Sequence, residues 1–170
     1  MEEVRVATED DLPELVRLAE LARAELGEER GGPMWQLLHG RPDPLPATLV
    51  ADLTEAASDA GIVLIGLYAG APAAYAAAHR ELLGDGTSIA VVSDVYVEPG
   101  FRAVNLGGAL MEELIAWARA HDCRGIDALV LPGMRNSKNY FERFGLTARA
   151  ILVHKDLRTV PAPAPAEEPA

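Results

Sequence analysis

Apolar residues recur along the chain at two spacings, and the points where the spacing changes divide it into elements. Leu12, Leu15, Val16, Ala19, Ala22 and Leu26 fall three or four apart, the spacing that lines one face of a helix. Asp10 offers an N-cap before this run, and Pro13 falls in the first turn, where a missing N–H leaves nothing unpaired. The pattern predicts a helix ending near Gly27, preceded by a short strand over Val4 to Ala7. Residues 28–46 are rich in Gly and Pro and predict a loop, with a short helical turn at most. Leu49, Val50, Leu53, Ala56 and Ala57 predict a second helix over Ala47 to Ala60, closed by Gly61 just past its end.

The spacing then changes. Ile62 to Ala69 is a β-rich run, Gly70-Ala71-Pro72 reads as a turn, and Ala73 to Leu82 predicts the return strand of a hairpin. After the turn at Gly84-Asp85-Gly86 comes a strand. Its alternation puts Ile89, Val91, Val95 and Val97 on one face and Ala90, Val92, Asp94 and Tyr96 on the other. Helical spacing resumes over Asn105 to Ala120, with Leu106, Leu110, Leu114, Trp117 and Ala118 as the stripe. A strand over Ile126 to Leu131, a helix over Arg135 to Phe144 ending at Gly145, and a strand over Thr147 to Lys155 complete the pattern. From residue 158 a Pro/Ala-rich tail offers nothing to pack and is expected to be disordered. The expectation is one folded domain over residues 1–157.

Composition narrows the class. Hydrophobic residues make up 49% of 170, enough for a packed core. No apolar run approaches the length of a membrane span, and the acidic start MEEVRVATEDD lacks the apolar stretch of a secretory signal. Cys123 is the single cysteine, so no internal disulfide forms, and a reducing, cytoplasmic setting is expected. Net charge is −11, and −9 without the two glutamates of the tail. That field disfavours nucleic acid as a partner and suits a cationic acceptor. His39, His79, His121 and His154 show no metal-ligand spacing, so no metal is expected.

The chemistry concentrates in Asp94 to Leu114, where a strand runs into a short loop and then a helix whose first turn holds Gly107 and Gly108. Unpaired amides and the positive end of the helix dipole make such a loop an anion site, suited to a pyrophosphate. Arg102 could add a charge-assisted contact. A P-loop would need Lys after the glycines, and a dinucleotide fold would need G-x-G-x-x-G in the first βαβ unit; neither is present.

At these residues the sequence resembles the GNAT superfamily, the Gcn5-related N-acetyltransferases. The family's cofactor motif, roughly V-x-P-x-x-[RQ]-x-x-G-[IL]-G-x-x-L, stands here as Val97-Glu98-Pro99-Gly100-Phe101-Arg102-Ala103-Val104-Asn105-Leu106-Gly107-Gly108-Ala109-Leu110. NYFERFGL, Asn139 to Leu146, is similar to the family's LYEKLGF segment, and VRVATEDDLPEL with the hairpin VLIGLYAGAPAAYAAAH fits its layout. The resemblance covers about residues 3 to 155. It implies an α/β (α+β) fold whose mixed, mostly antiparallel sheet of six or seven strands is flanked by helices, with the fourth and fifth strands splayed.

It also implies acetyl-CoA as co-substrate and direct attack of a small-molecule or peptide primary amine on the thioester. Cofactor contacts would fall at Val95, Tyr96 and Val97, at the loop Arg102, Ala103, Val104, Asn105, Leu106, Gly107 and Gly108, and near Asn136 and Phe141. A homodimer is common in the family. Two positions depart from the pattern. Asn105 replaces the first motif glycine; Asn tolerates the left-handed region next best, so the loop is expected to keep its path. Phe141 stands where the family has the Tyr that serves as general acid, and Tyr140 sits one residue earlier, about 100° round the helix. The family's CoA-contacting Asn aligns with Met134, so Asn136 substitutes only after a register shift.

Asp94 is the first candidate base and His79 the second; Tyr140 is the candidate acid. Trp35 and Tyr68 are candidate lining residues for the acceptor. The alternative function is a CoA-binding module with little or no turnover.

Overall fold

A computed structural model describes residues 1–158. Five strands form one sheet in chain order: β1 (Glu2–Val6), β2 (Gly61–Tyr68), β3 (Ala71–Leu82), β4 (Ser88–Val97) and β5 (Cys123–Ala128). β1 to β4 pair antiparallel, and β5 lies parallel to β4. The mixed, mostly antiparallel α+β sheet expected from the sequence is thus present, with five strands in place of six or seven. The expected strand over Thr147 to Lys155 has no ladder partner. Ile151 and Val153 stay outside the sheet, more than four-fifths exposed. The flanking charges pair instead, Arg149 with Asp127 of β5 and Arg158 with Asp156 two residues away. The tail beyond residue 158 lies outside the described residues.

Helices α1 (Leu12–Glu28) and α3 (Leu45–Ala57) cover one face, with α2 (Gly32–Leu38) packed against α1; α4 (Leu106–Ala120) and α5 (Arg135–Arg143) cover the other. On the first face Leu15, Leu18, Leu49 and Leu53 pack on Val63, Ile65 and Tyr75. On the second, Leu106, Leu110, Met111 and Leu114 pack on Ile62, Leu64 and Val92. Ala73 to Ala78 of β3 is buried on both faces; apart from Tyr75 its side chains are alanines, which let both layers close on a central strand. β4–α4–β5 is a strand–helix–parallel strand crossover, which lays α4 across that face of the sheet, over β2, β3 and β4.

Several boundaries moved for identifiable reasons. Asp11, not Asp10, precedes α1. Its carboxylate accepts from the Thr8 amide at 2.8 Å and from both ends of the Arg5 guanidinium, which lowers its pKa to about 2. Residues 32–38 form a full helix where a loop was expected. α3 ends at Ala57 because Asp59, with φ of 59°, takes the left-handed position assigned to Gly61, which instead opens β2. The hairpin turn falls on Ala69 and Gly70, both with positive φ. β5 starts three residues earlier than expected and stops at Ala128, where its pairing with β4 ends.

The alternation expected for β4 is broken by a bulge. Ala77 pairs with Asp94 and Ala78 with Val92, which leaves Ser93 as an extra residue. Val92, Val95 and Val97 therefore share the α4 face, while Tyr96 turns to the α1/α3 face. Val92 and Tyr96 were expected on one face and lie on opposite ones.

Candidate active site

β4 pairs with β3 up to Val97 but with β5 only up to Val92, opposite Ala128. From Ser93 to Val97 the edge of β4 that faces β5 has no ladder partner among the described residues. The expected splay is this fork. It leaves backbone groups of Val95, Tyr96 and Val97 free to pair with an extended ligand.

The chain leaves β4 through a 3₁₀ turn, Pro99–Phe101, and enters α4 through Arg102 to Asn105. The amides of Arg102, Val104 and Leu106 are taken by the carbonyls of Pro99, Phe101 and Val104. Those of Ala103, Asn105, Gly107 and Gly108 have no acceptor among the described residues. Four free donors thus gather at the positive end of a 15-residue helix, the arrangement that holds a phosphate. Asn105 has φ of −74°, so it does not use the left-handed conformation that its replacement of a glycine suggested. Its side chain instead lies over Gly108, where a Cβ would collide with it.

Arg102 turns away from these amides. Its Nε donates to Val97 O at 2.9 Å, and the guanidinium forks onto Glu25 of α1 at 2.6 and 2.8 Å, 5.9 Å above the Tyr96 ring. Arg17 of α1 pairs with Glu98 at 2.7 Å, so α1 grips the loop at two places. Tyr96 is buried beneath, and burial raises its pKa. Val104 packs against the α4 core, and Ala103 is exposed.

Tyr140 closes the far side. Its hydroxyl donates to Gly107 O at 2.6 Å, and its ring abuts Gly107, where a Cβ would sit 3.3 Å from Cε2. Burial lifts its pKa well above the ordinary tyrosine value. The hydroxyl therefore braces the glycine turn. Phe141 packs against the α4 core, its ring 5.0 Å from that of Tyr140. Asn136 lies exposed in the first turn of α5.

The opposite wall is built on the α1/α3 face, where Asp94 emerges just after the bulge. Arg41, in the α2–α3 connection, donates from Nε to Asp94 at 2.8 Å and also meets Asp52 of α3 at 2.5 Å. Arg23 of α1 holds the Arg41 carbonyl at 2.7 Å and fixes the connection. Arg41 and Asp94 expose only 13% and 10% of their side chains. Burial would lower the Arg41 pKa; the two carboxylates outweigh it and hold the group above its ordinary value. Tyr75 lies fully buried nearby, its hydroxyl without a hydrogen-bond partner among the described residues, and burial followed by the Asp94 charge pushes its pKa far up. A small cleft opens beside this cluster, lined by Trp35, Ala22, Leu26, Leu45, Arg41 and Asp94, with about 10 Å³ free for solvent, room for roughly one water.

The fold thus brings Asp94 and Trp35 together. His79 joins them on the same sheet face, bonded to Ser93 across the bulge at 3.1 Å. Tyr68 is placed elsewhere, against Phe101 at 5.5 Å. His121 caps α4 by donating to Trp117 O, and Cys123 opens β5. Arg41, Asp52, Tyr75, Ser93 and Glu81 escaped the sequence reading. Arg41 fell in the run expected to be loop, and no linear spacing links it to Asp52 or Asp94. Among the described residues no helix is long and apolar enough to cross a membrane.

A family model described as the acetyltransferase (GNAT) family matches residues 18–146. No curated protein matches the sequence. Among solved structures, a tetramutant of the Bacillus halodurans protein BH1408 superposes with a TM-score of 0.75 at 21% identity, over 91% of this chain and 99% of that one. A predicted acetyltransferase with acetyl-CoA from Clostridium acetobutylicum gives 0.69 at 15% identity, over 92% and 97%. AAC(6')-Iy in complex with the bisubstrate analog CoA-S-monomethyl-acetylneamine gives 0.68 at 17% identity, over 94% and 99%. These likenesses establish the shared fold.

Proposed function

We propose that this chain, which belongs to the GNAT acetyltransferase family, uses acetyl-CoA to acetylate a primary amine by direct attack on the thioester. The observation that carries the reading is the set of free amides at Ala103, Asn105, Gly107 and Gly108, ahead of α4 and beside the unpaired edge of β4. The residues present fit the co-substrate. The free amides would hold the pyrophosphate, with Arg102 swinging from Glu25 to join them. The open edge at Val95 to Val97 would pair with the pantetheine arm. Leu106 and Val104 back this loop from the α4 core, and Phe141 packs against the same core.

Acetyl-CoA would supply an activated acyl group whose thiol, with an ordinary pKa of about 8.5, leaves readily near neutral pH. Tyr140 is committed to Gly107 O, so its part is to brace the loop. Help from a general acid contributes about 10²–10⁴-fold, so its lack slows such a reaction without forbidding it. On the acceptor side Arg41 carries one positive charge against the two negative charges of Asp52 and Asp94. The surplus negative charge favours a cationic amine, and related structures contain aminoglycoside acetyltransferases, one of them in complex with sisomicin. Asp94 would orient that amine through its ion-paired carboxylate.

Phe141 and the engaged Tyr140 hydroxyl favour a second reading, a CoA-binding module with little turnover. Free thiol followed on mixing acetyl-CoA with a panel of amines separates the two. Thiol release with at least one amine is expected. A rise in melting temperature without thiol release supports the second reading. No rise at millimolar acetyl-CoA defeats both.

A further inference from the structure

We infer that Ser93, His79 and Glu81 form a proton relay that strips the acceptor ammonium before attack. The inference rests on the acetyltransferase reading and adds to it the path of the proton.

The three side chains form a continuous chain on one face of the sheet. His79 Nε2 lies 3.1 Å from Glu81 Oε1, and His79 Nδ1 lies 3.1 Å from Ser93 Oγ. An ionised carboxylate only accepts hydrogen bonds, so Nε2 carries the hydrogen and donates to Glu81. Nδ1 is then left with its lone pair facing Ser93, which donates to it. The arrangement therefore points the serine hydroxyl hydrogen at a base. A residue that orients the imidazole from its other nitrogen is a recurrent device for fixing tautomer and direction.

The bulge explains the location. Ser93 is the residue that β4 carries in excess, and it is the first residue beyond the last β4–β5 pair, Val92 with Ala128. It stands at the mouth of the fork, two residues before Val95. His79 follows Tyr75 and Ala77 at alternate positions of β3, so it projects to the α1/α3 face, the acceptor side. Ser93 is exposed and His79 partly so; amine and solvent both reach the relay.

Asp94 cannot take this part as well. Protonating it would break its ion pair and leave Arg41, largely buried, with one counterion fewer. Histidine, by contrast, changes charge near neutrality. The groups that face His79 are Glu81 on its own strand, Ser93 and Asp94 on β4, Arg41 behind Asp94, and Glu55 of α3, which flanks it across Gly61.

In the step, the ammonium gives one proton to Ser93 Oγ as Ser93 gives its own to His79 Nδ1. No alkoxide accumulates. The imidazolium keeps Nε2–H on Glu81 and later releases its proton to solvent. The amine lone pair, now free, forms the N–C bond as the C–S bond breaks and sulfur keeps that electron pair; the nitrogen then gives its surplus proton to the departing thiolate, leaving the amide and free thiol. Ser93 contacts the amine; His79 and Glu81 act through it as positioning residues.

The test uses S93A, H79Q and E81Q in the full chain, with kcat/KM for the amine measured across pH and KM for acetyl-CoA measured alongside. All three sites are on the surface, and melting temperatures are expected to match the wild type. At pH about 7, S93A and H79Q are expected to lose roughly 10²-fold in kcat/KM for the amine. The double variant should lose no more than either single, as members of one unit do. The deficit should shrink as pH nears the pKa of the amine, about 10.4 for a lysine-like one, where neutral amine needs no relay. KM for acetyl-CoA should not move. Independently of turnover, nitrogen NMR of the neutral protein should show His79 as the Nε2–H tautomer, with its Nδ1 signal shifted in S93A.

Wild-type rates in S93A and H79Q, a deficit equal at every pH, or the Nδ1–H tautomer each overturn the relay while the transferase reading stands. A wild type that binds acetyl-CoA yet acetylates no amine overturns both.

Discussion

Arg41 and its two carboxylates form a largely buried ion-pair cluster. Removing one partner of a buried ion pair leaves the others uncompensated, at a typical cost of about 3–5 kcal/mol. R41L is therefore expected to lower unfolding free energy by roughly that amount, and chemical denaturation measures it. R41L with D94N and D52N should recover most of the loss, because no bare charge remains. Tyr140 makes a smaller contribution. Y140F loses a single hydrogen bond to Gly107 O, worth about 0.5–1.5 kcal/mol. Its effect on kcat should be modest, because that hydroxyl is already committed to Gly107 O. A loss of kcat exceeding about 10²-fold, with the acetyl-CoA KM unchanged, would instead restore Tyr140 as an acid.

Among the elements, the turn into α1 and the turn into α4 show how local chemistry fixes a helix end. Asp11 holds the Thr8 amide and Arg5, and its carboxyl pKa falls from 3.8 to about 2. A group depressed in the folded state stabilises above its unfolded pKa and loses that contribution as pH falls through the folded one. Wild-type stability should thus drop between pH about 4 and 2, and D11N should show a flatter curve over that window in pH-dependent denaturation. At α4 the missing side chain of Gly108 makes room for Asn105. In G108A the Asn105 amide must rotate, and the free donors lie next to it. A weakening of acetyl-CoA binding by about tenfold, roughly 1.4 kcal/mol, is expected from calorimetry, with little change in melting temperature because the side chain that must move is flexible.

Across the whole molecule, an anionic co-substrate has to enter a protein of net charge −11. In the proposed function the loop amides and Arg102 would attract it only at short range, whereas the global field repels it from farther out. Screening shortens that field to about 10 Å at 0.1 M salt. The association rate of acetyl-CoA should therefore rise with added salt, and that of a polycationic amine should fall. Stopped-flow fluorescence at several ionic strengths reads both slopes; a co-substrate rate that falls with salt would show that local positive charge dominates instead.

The helix stripes at Leu12 to Leu26 and Leu106 to Ala118, the hairpin runs and the course of the Arg102 to Gly108 loop were legible in the chain, because helix periodicity, turn chemistry and a glycine-bearing entry into a helix all depend on neighbours in sequence. The strand over Thr147 to Lys155 was misread for the complementary reason: a strand requires a ladder partner, and β propensity alone does not provide one. The β4 bulge, the Arg41–Asp52–Asp94 cluster and the Ser93–His79–Glu81 chain belong wholly to the tertiary structure. One extra residue in β4 relative to β3 changes which side chains share a face, and only the packing of α1 and α3 on that face brings distant charges within bonding distance.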